Sequence, residues 1–323
     1  MHARALCALA WLHLLASDPA EACSVCLAGD PWYSAFGASA EPAGSFSLYV
    51  EGRYFDKSSG GLPHGEEGEE EEHGAPKEDS NGARLDVSAS WSPTDRLTLT
   101  ANLPFVWNHI TEIEAGERTT HTLNGWGDAS LGASVVLWQN RDVLPSTWLE
   151  GRLWLKAPTG RDHTEVDGEP DPHLQPGTGS WDWGTGFAAG QRLSWGSLYA
   201  SLYYRENSEG SFDYEYGDAF FANAAVEATL GHALGVPEWN WLTPGFELNF
   251  RYAGYDHAEG ERYEDSGGAI LYATPTLRIR LPFGLGAHNA SLRAAVQLPF
   301  AQTWLHNTQH EGEVWSLGLL LPF

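Results

Sequence analysis

No apolar run in this chain reaches the roughly 18 residues that a membrane-crossing helix needs, and mean hydropathy is only -0.33. A helical membrane protein is thereby excluded. A membrane barrel is not, because each of its strands offers only every second residue to lipid. Positive charge is also scarce. Lys and Arg total 18 against 43 Asp and Glu, a formal net charge of -25. Nucleic acid is therefore not an expected partner, since phosphate binding needs a basic face. Cysteine is nearly absent, at three residues. Cys7 lies in the leading segment, and Cys23 and Cys26 form the one Cys-x-x-Cys. No second ligand pair accompanies it, no thioredoxin-like βαβ pattern surrounds it, and no His follows Cys26. Structural zinc, dithiol redox chemistry and covalent haem each lack a requirement. A disulfide or two idle thiols is the plain reading in an exported chain, with a metal pair as the functional alternative. A nucleophile beside a base on the strands is missing too, so no enzyme is expected.

Aromatic residues, in contrast, are plentiful: 15 Trp, 13 Phe and 12 Tyr in a polar chain of 323 residues. Membrane barrels need them for interfacial girdles. Residues 1–22 read as a signal peptide. His2 and Arg4 precede an apolar run from Ala5 to Ala16, and Ala20-Glu21-Ala22 fits the small-x-small cleavage pattern. Cys23 would open the mature chain. Lipidation there is disfavoured, because Ala20 stands where a bulky aliphatic residue is usual. Residues 23–43 are too short for an energy-coupling plug and are expected to form a periplasmic segment, free to meet a periplasmic partner. Residues 44–323 are expected to be the barrel.

The barrel region alternates apolar and polar residues at period two, the signature of half-buried strands. Twelve such segments fall near 44–55, 83–91, 97–108, 126–138, 146–156, 181–194, 197–205, 219–231, 244–254, 268–281, 288–300 and 313–323. Their lengths suit tilted strands that cross a bilayer. The links alternate short and long. The long ones, near 56–82, 109–122, 157–180, 206–218, 255–267 and 301–312, hold most of the acidic residues and most of the His. An antiparallel up-and-down barrel with long acidic extracellular loops and short periplasmic turns produces this sorting, whereas a soluble sandwich has no reason to. The last strand, Trp315, Leu317, Leu319, Leu321 and Phe323, resembles the terminal signal read by the outer-membrane assembly machinery. Outer-membrane lipid of a Gram-negative bacterium is the expected surrounding, and a monomer the expected state.

Candidate site residues fall in three groups. The first long link carries His64, Glu66, Glu67, Glu69, Glu70, Glu71, Glu72 and His73. A solvated, disordered loop is the plain reading. Weak, multiple binding of divalent metal ions is the sharper one, as carboxylates suit Ca²⁺ or Mn²⁺ and imidazole suits Zn²⁺, Cu²⁺ or Ni²⁺. Asp162, His163, Glu165, Asp167, Glu169, Asp171 and His173 repeat that composition in the third long link. The second group is the non-lipid phase of the strands, where Glu150, Arg152, Glu247, Arg251, Arg278, Arg280 and Arg293 are candidates to line a pore. The third is Cys23 and Cys26. No cofactor is expected. The expected function is passive passage of small solutes through the outer membrane, favouring cations at an acidic mouth. The alternative is a metal-binding or structural surface barrel without an open pore.

Three motifs carry a family resemblance. Gly125-Trp126-Gly127-Asp128-Ala129-Ser130-Leu131-Gly132 resembles a Gly-x-Gly-Asp strand opening. Leu155-Lys156-Ala157-Pro158-Thr159-Gly160 resembles a Lys-x-Pro-Thr-Gly strand end. Gly177-Thr178-Gly179-Ser180-Trp181-Asp182 is similar to a Gly-Thr-Gly-Ser opening of the next strand. Their order and spacing resemble the transporter-like outer-membrane family named for the meta-pathway of phenol degradation, over roughly Ala83 to Phe323. The resemblance implies a barrel and a transport role and assigns no binding residue. The motifs also have a local account: Pro158 and Gly160 end a strand, and Gly177 and Gly179 turn the chain back into the wall.

Overall fold

The computed structural model describes residues 42–59, 77–114, 117–140, 146–166, 169–264, 266–284, 289–305 and 309–323. The metal candidates His64 to His73 and the Cys23–Cys26 pair lie outside them. The wall consists of β1 (Phe46–Ser59), β2 (Lys77–Thr94), β3 (Leu97–Glu114), β4 (Glu117–Trp126), β5 (Ser130–Gln139), β6 (Thr147–Lys156), β7 (Asp182–Arg192), β8 (Gly196–Glu206), β9 (Ala219–Ala228), β10 (Leu242–Ala253), β11 (Gly268–Arg280), β12 (Ser291–Leu305) and β13 (Gln309–Pro322). Each pairs antiparallel with its neighbour in sequence, except that β5 pairs with β3 rather than β4, and β13 returns to β1. β4 and β5 share one position in the wall, because β4 pairs with the upper part of β3 and β5 with the lower part. The result is a closed barrel of 12 strands. Apart from the β4 extension of that shared position, closure leaves no sheet edge, the condition for a sheet to enter lipid.

Closure is completed by the terminal aromatic. The Phe323 N–H donates to the Phe46 carbonyl at 2.8 Å. The two rings meet edge to face at 5.3 Å.

The barrel is inside-out. Along β6, Leu149, Leu153 and Leu155 are 37, 61 and 45% exposed, whereas Glu150 and Arg152 are 2 and 5% exposed. Apolar side chains point outward and charges inward, which is stable only where the outer solvent is apolar. Exposed Trp91, Trp138, Trp195, Trp239, Trp241 and Phe283 ring the short-turn end, and Trp107, Trp126, Trp181, Trp183 and Tyr252 ring the other. These are the two girdles that the aromatic content required. Among the described residues no helix is long and apolar enough to cross a membrane.

The structure extends one hairpin beyond the expected strands. Residues 109–122, read as a long link, continue as paired β3 and β4, joined by Thr111–Thr120 at 3.0 Å and His109–Thr122 at 2.8 Å. Polar side chains on both faces hide the period-two signal there. Cross-strand hydroxyl and imidazole contacts supply the stabilisation.

The inner face of β7 is nearly bare. Gly184, Gly186, Ala188 and Gly190 make room for the rings of Trp148, Trp154 and Tyr203 from the flanking strands. A methyl group at Gly186 would overlap the Leu202 carbonyl and the Tyr203 ring, while one at Gly52 would meet nothing within 4 Å. Gly186→Ala is therefore expected to cost about 1–3 kcal/mol of overpacking, and Gly52→Ala less than about 0.5 kcal/mol. Denaturant midpoints of the folded barrels check this, and equal midpoints would refute it.

Candidate functional site

The lumen is lined by charge held in hydrogen-bonded arcs. On β1, Glu51 accepts from Arg53 Nε at 2.8 Å and from the Tyr49 hydroxyl at 2.9 Å. Arg293 on β12 reaches Glu51 at 3.8 Å and Glu247 on β10 at 3.2 Å. To reach β1 it crosses β13, where Gly318 presents no side chain. Asn249 donates to Glu247 and to Asn223, both at 2.8 Å, and Asn223 donates to Ser201 at 3.0 Å. One polar chain thus joins β1, β12, β10, β9 and β8. Elsewhere Arg84 grips Asp86 on β2, Arg152 pairs with Glu150 at 2.5 Å on β6, and Arg278 pairs with Glu227 at 2.6 Å. Glu51, Asp86, Glu150, Glu247, Asn249 and Thr274 are at most 2% exposed. These side chains are packed against one another and the wall at mid-height. Buried charges persist because they are paired, as low polarity demands.

All seven sequence-derived pore candidates stand on inward positions. The structure brings Glu247 and Arg293 together and pairs Glu150 with Arg152. Arg251 stacks over Tyr272, its guanidinium carbon 4.6 Å from the ring centre, and donates to Gln297 at 2.8 Å. Arg278 and exposed Arg280 stand apart at the short-turn end. On the inward positions Arg and Lys outnumber Asp and Glu, the reverse of the chain as a whole.

The three motifs meet at a single point. Asp128, at the break between β4 and β5, accepts from the backbone N–H of Thr159 at 3.1 Å, Gly160 at 2.9 Å and Thr178 at 2.8 Å. Its Oδ2 also accepts from the Thr178 hydroxyl at 3.0 Å. Lys156, at the end of β6, bridges Asp128 at 3.3 Å and Asp182 at 2.5 Å. Ser180 donates to Asp182 at 2.8 Å. Thus each motif supplies one charged residue, and the second and third supply the backbone N–H groups that surround the charge of the first.

This cluster turns the 157–181 link into the barrel mouth. Asn108 on the inner face of β3 donates to the Leu174 carbonyl at 3.1 Å and the Gln175 carbonyl at 3.3 Å. Leu174 is fully buried against Ile110 and Leu123. The Tyr216 hydroxyl donates to the Pro172 carbonyl at 3.0 Å. The start of the link covers the free edge below β4, with Arg161 N–H on the Trp126 carbonyl at 3.0 Å.

Sequence reasoning named Asp128, Lys156 and Asp182 as members of three separate motifs, without joining them. The available signal was a lone Leu174 beside Pro176 in a polar link flanked by two Gly-rich motifs. The described acidic and His residues of the same link do not gather. Asp171 caps the backbone of His173 at 2.8 Å, and Asp162 contacts His163 at 3.0 Å. Among the described residues no group of three or more His, Cys, Asp or Glu is placed to hold a metal.

His173 is packed edge-on against Tyr214 at 4.8 Å and Tyr216 at 5.7 Å. Burial, and then the positive charge of Lys57, push its pKa from 6.5 down to about 3. The docked link thus holds a neutral imidazole, and the undocked link binds a proton more readily. Docking contributes fully above about 6.5 and weakens as pH falls toward 3. Acidification from about pH 7 to about pH 4 is expected to loosen residues 157–181, and His173→Phe to flatten that dependence. Amide exchange in the link measures both, and identical pH profiles would rule the imidazole out.

No family model matches the chain, and no curated protein matches it. Solved structures do. The crystal structure of an outer membrane channel from Pseudomonas putida F1 is similar with a TM-score of 0.59 and 16% identity, covering 88% of this chain and 97% of that one. The translocator domain of the autotransporter NalP from Neisseria meningitidis gives 0.44 and 11%, covering 88% and 90%. A FadL homologue from Pseudomonas aeruginosa gives 0.41 and 12%, covering 86% and 90%. The chain has the fold of an outer-membrane β-barrel.

Proposed function

We propose that this protein is an outer-membrane channel of a Gram-negative bacterium that passes small polar solutes passively, with the 157–181 link as its constriction. The single observation that carries this is the closed, inside-out barrel whose lumen is lined by paired charges rather than by an apolar core. The similarity to a channel of the same fold supports it. So does the convergence of the three motifs, which also supports membership of the meta-pathway transporter-like family. A cleaved signal peptide, assembly through the strand ending at Phe323 and a monomeric state complete the reading, with 23–43 left to meet a periplasmic partner. Divalent metal ions bind weakly in the His64–His73 link.

Selectivity has two sources. Acidic links draw cations to the mouth, and the cation-rich inward positions favour anions inside. Exposed charges are screened by salt and buried ones much less. Conductance of the mature protein in a planar bilayer, with a salt gradient, tests both. We expect small discrete steps, cation-favouring at about 10 mM salt and losing that preference near 1 M. A folded but silent barrel would overturn the channel reading.

A further inference from the structure

Two further links meet the constriction. In the link after β8, Tyr214–Glu215 pair antiparallel with Asp256–Ala258 of the link after β10, which pair in turn with Glu261–Tyr263. Asp256 stands in the middle of this small sheet and is fully buried. Its carboxylate accepts from the Tyr214 hydroxyl at 2.6 Å and from the Gly217 N–H at 2.7 Å. Its own N–H donates to the Ser266 hydroxyl at 2.8 Å.

On their other side Tyr214 and Tyr216 meet the 157–181 link. The two rings lie 5.0 Å apart and both pack edge-on against His173, while the Tyr216 hydroxyl donates to the Pro172 carbonyl. A few residues earlier, the Ser211 N–H donates to the Thr178 carbonyl at 2.9 Å and its hydroxyl to Asp162 at 2.8 Å. Between these contacts Phe212 and Asp213 take φ values of 62° and 52°. Residues other than glycine keep that left-handed conformation only where their surroundings enforce it. Part of the enforcement comes from the neighbouring link, whose Glu259 N–H donates to the Asp213 carbonyl at 2.8 Å.

We propose that Asp256 is a positioning residue for the constriction, holding the 157–181 link in place through its grip on Tyr214 and Gly217; the inference rests on the reading of that link as the constriction. A buried carboxylate between two donors fixes the segment that carries them, because either donor left without its acceptor is costly. That segment bears both rings that pack on His173. Without Asp256 it is free to relax its left-handed turn, and the contacts to His173, Pro172 and Thr178 are released with it.

The test is amide exchange of the folded barrel in detergent, read across the 157–181 link. Asp256→Ala should accelerate exchange there about tenfold or more, together with 206–218 and 255–267, and leave β1 to β6 unchanged. Asp256→Asn should restore most of the protection, because its Oδ1 still accepts the Gly217 N–H and its amide donates to the Tyr214 oxygen. Tyr214→Phe keeps the ring and removes only the hydroxyl. It should loosen 157–181 to a smaller degree, and it decides should Asp256→Ala lack the heat-modifiable migration of a folded barrel. Loosening confined to 206–218 and 255–267, or equal loosening in Asp256→Ala and Asp256→Asn, overturns the positioning role. Exchange is read without current. A link that loosens in a barrel that never conducts keeps the coupling and loses the channel, and a conducting barrel whose link stays protected in Asp256→Ala does the reverse.

Discussion

Replacing Asp128 with Ala is expected to release the 157–181 link from the barrel mouth while leaving the wall closed. The substitution strips three backbone N–H groups and one hydroxyl of their acceptor. It also takes one of its two carboxylates from Lys156, which keeps Asp182 at 2.5 Å and the hydroxyls of Ser180 and Thr178. Removing one partner of a buried ion pair costs about 3–5 kcal/mol, because the remaining charge and donors stay buried without compensation. The loss is local, since Asp128 holds the link and the break between β4 and β5 rather than the ladder. Amide exchange across 157–181 should accelerate by about 100-fold or more, with exchange in β7 to β13 unchanged. Conductance should rise alongside. An equally protected link in the variant would mean that Leu174 and the Asn108 contacts, not the motif cluster, hold it. Asp182→Asn makes a useful comparison. Asp182 stands at the start of β7 and contacts Ser208 of the next link, so its loss should loosen 207–218 as well.

Glu247→Ala is expected to destabilise the barrel as a whole. Glu247 accepts from Arg293 at 3.2 Å and from Asn249 at 2.8 Å, and it is 1% exposed. Its removal takes from Arg293 the nearer of two carboxylates, Glu51 standing at 3.8 Å, and breaks the polar chain in its middle. The expected cost is about 3–5 kcal/mol, read from denaturant unfolding in detergent. The partner change sharpens the test. Glu247→Ala combined with Arg293→Ala removes both charges, so the double variant should lose clearly less than the two single losses added together. Strict additivity would show that the pair is not coupled. The single variant should also shift the reversal potential toward anions, because it deletes a luminal carboxylate and keeps its arginine.

Much of the wall was legible residue by residue. Strand number, inside-out polarity, the sorting of long from short links and closure at Phe323 all follow from a period-two pattern. That pattern is local: each strand must present lipid on one face wherever it sits in the barrel. The inward phase of the pore candidates was legible for the same reason, since alternation alone puts Glu247 and Arg293 inside. Their pairing was not. Arg293 meets Glu51 across a strand on which Gly318 carries no side chain, and that depends on register and closure.

The candidate site itself was decided by tertiary structure. Asp128 and Thr178 are 50 positions apart, and nothing in the spacing of the motifs says that they touch. The 157–181 link reads as a polar extracellular loop because its composition is acidic. It folds inward because one carboxylate satisfies three of its backbone donors and one leucine is buried beneath it. His173, a metal candidate by composition, became a neutral packing residue between two tyrosines. The wall was determined by the sequence because alternation is enforced by the solvent on each face. The constriction was decided by the fold because hydrogen-bond saturation of a buried charge depends on which distant backbone arrives beside it.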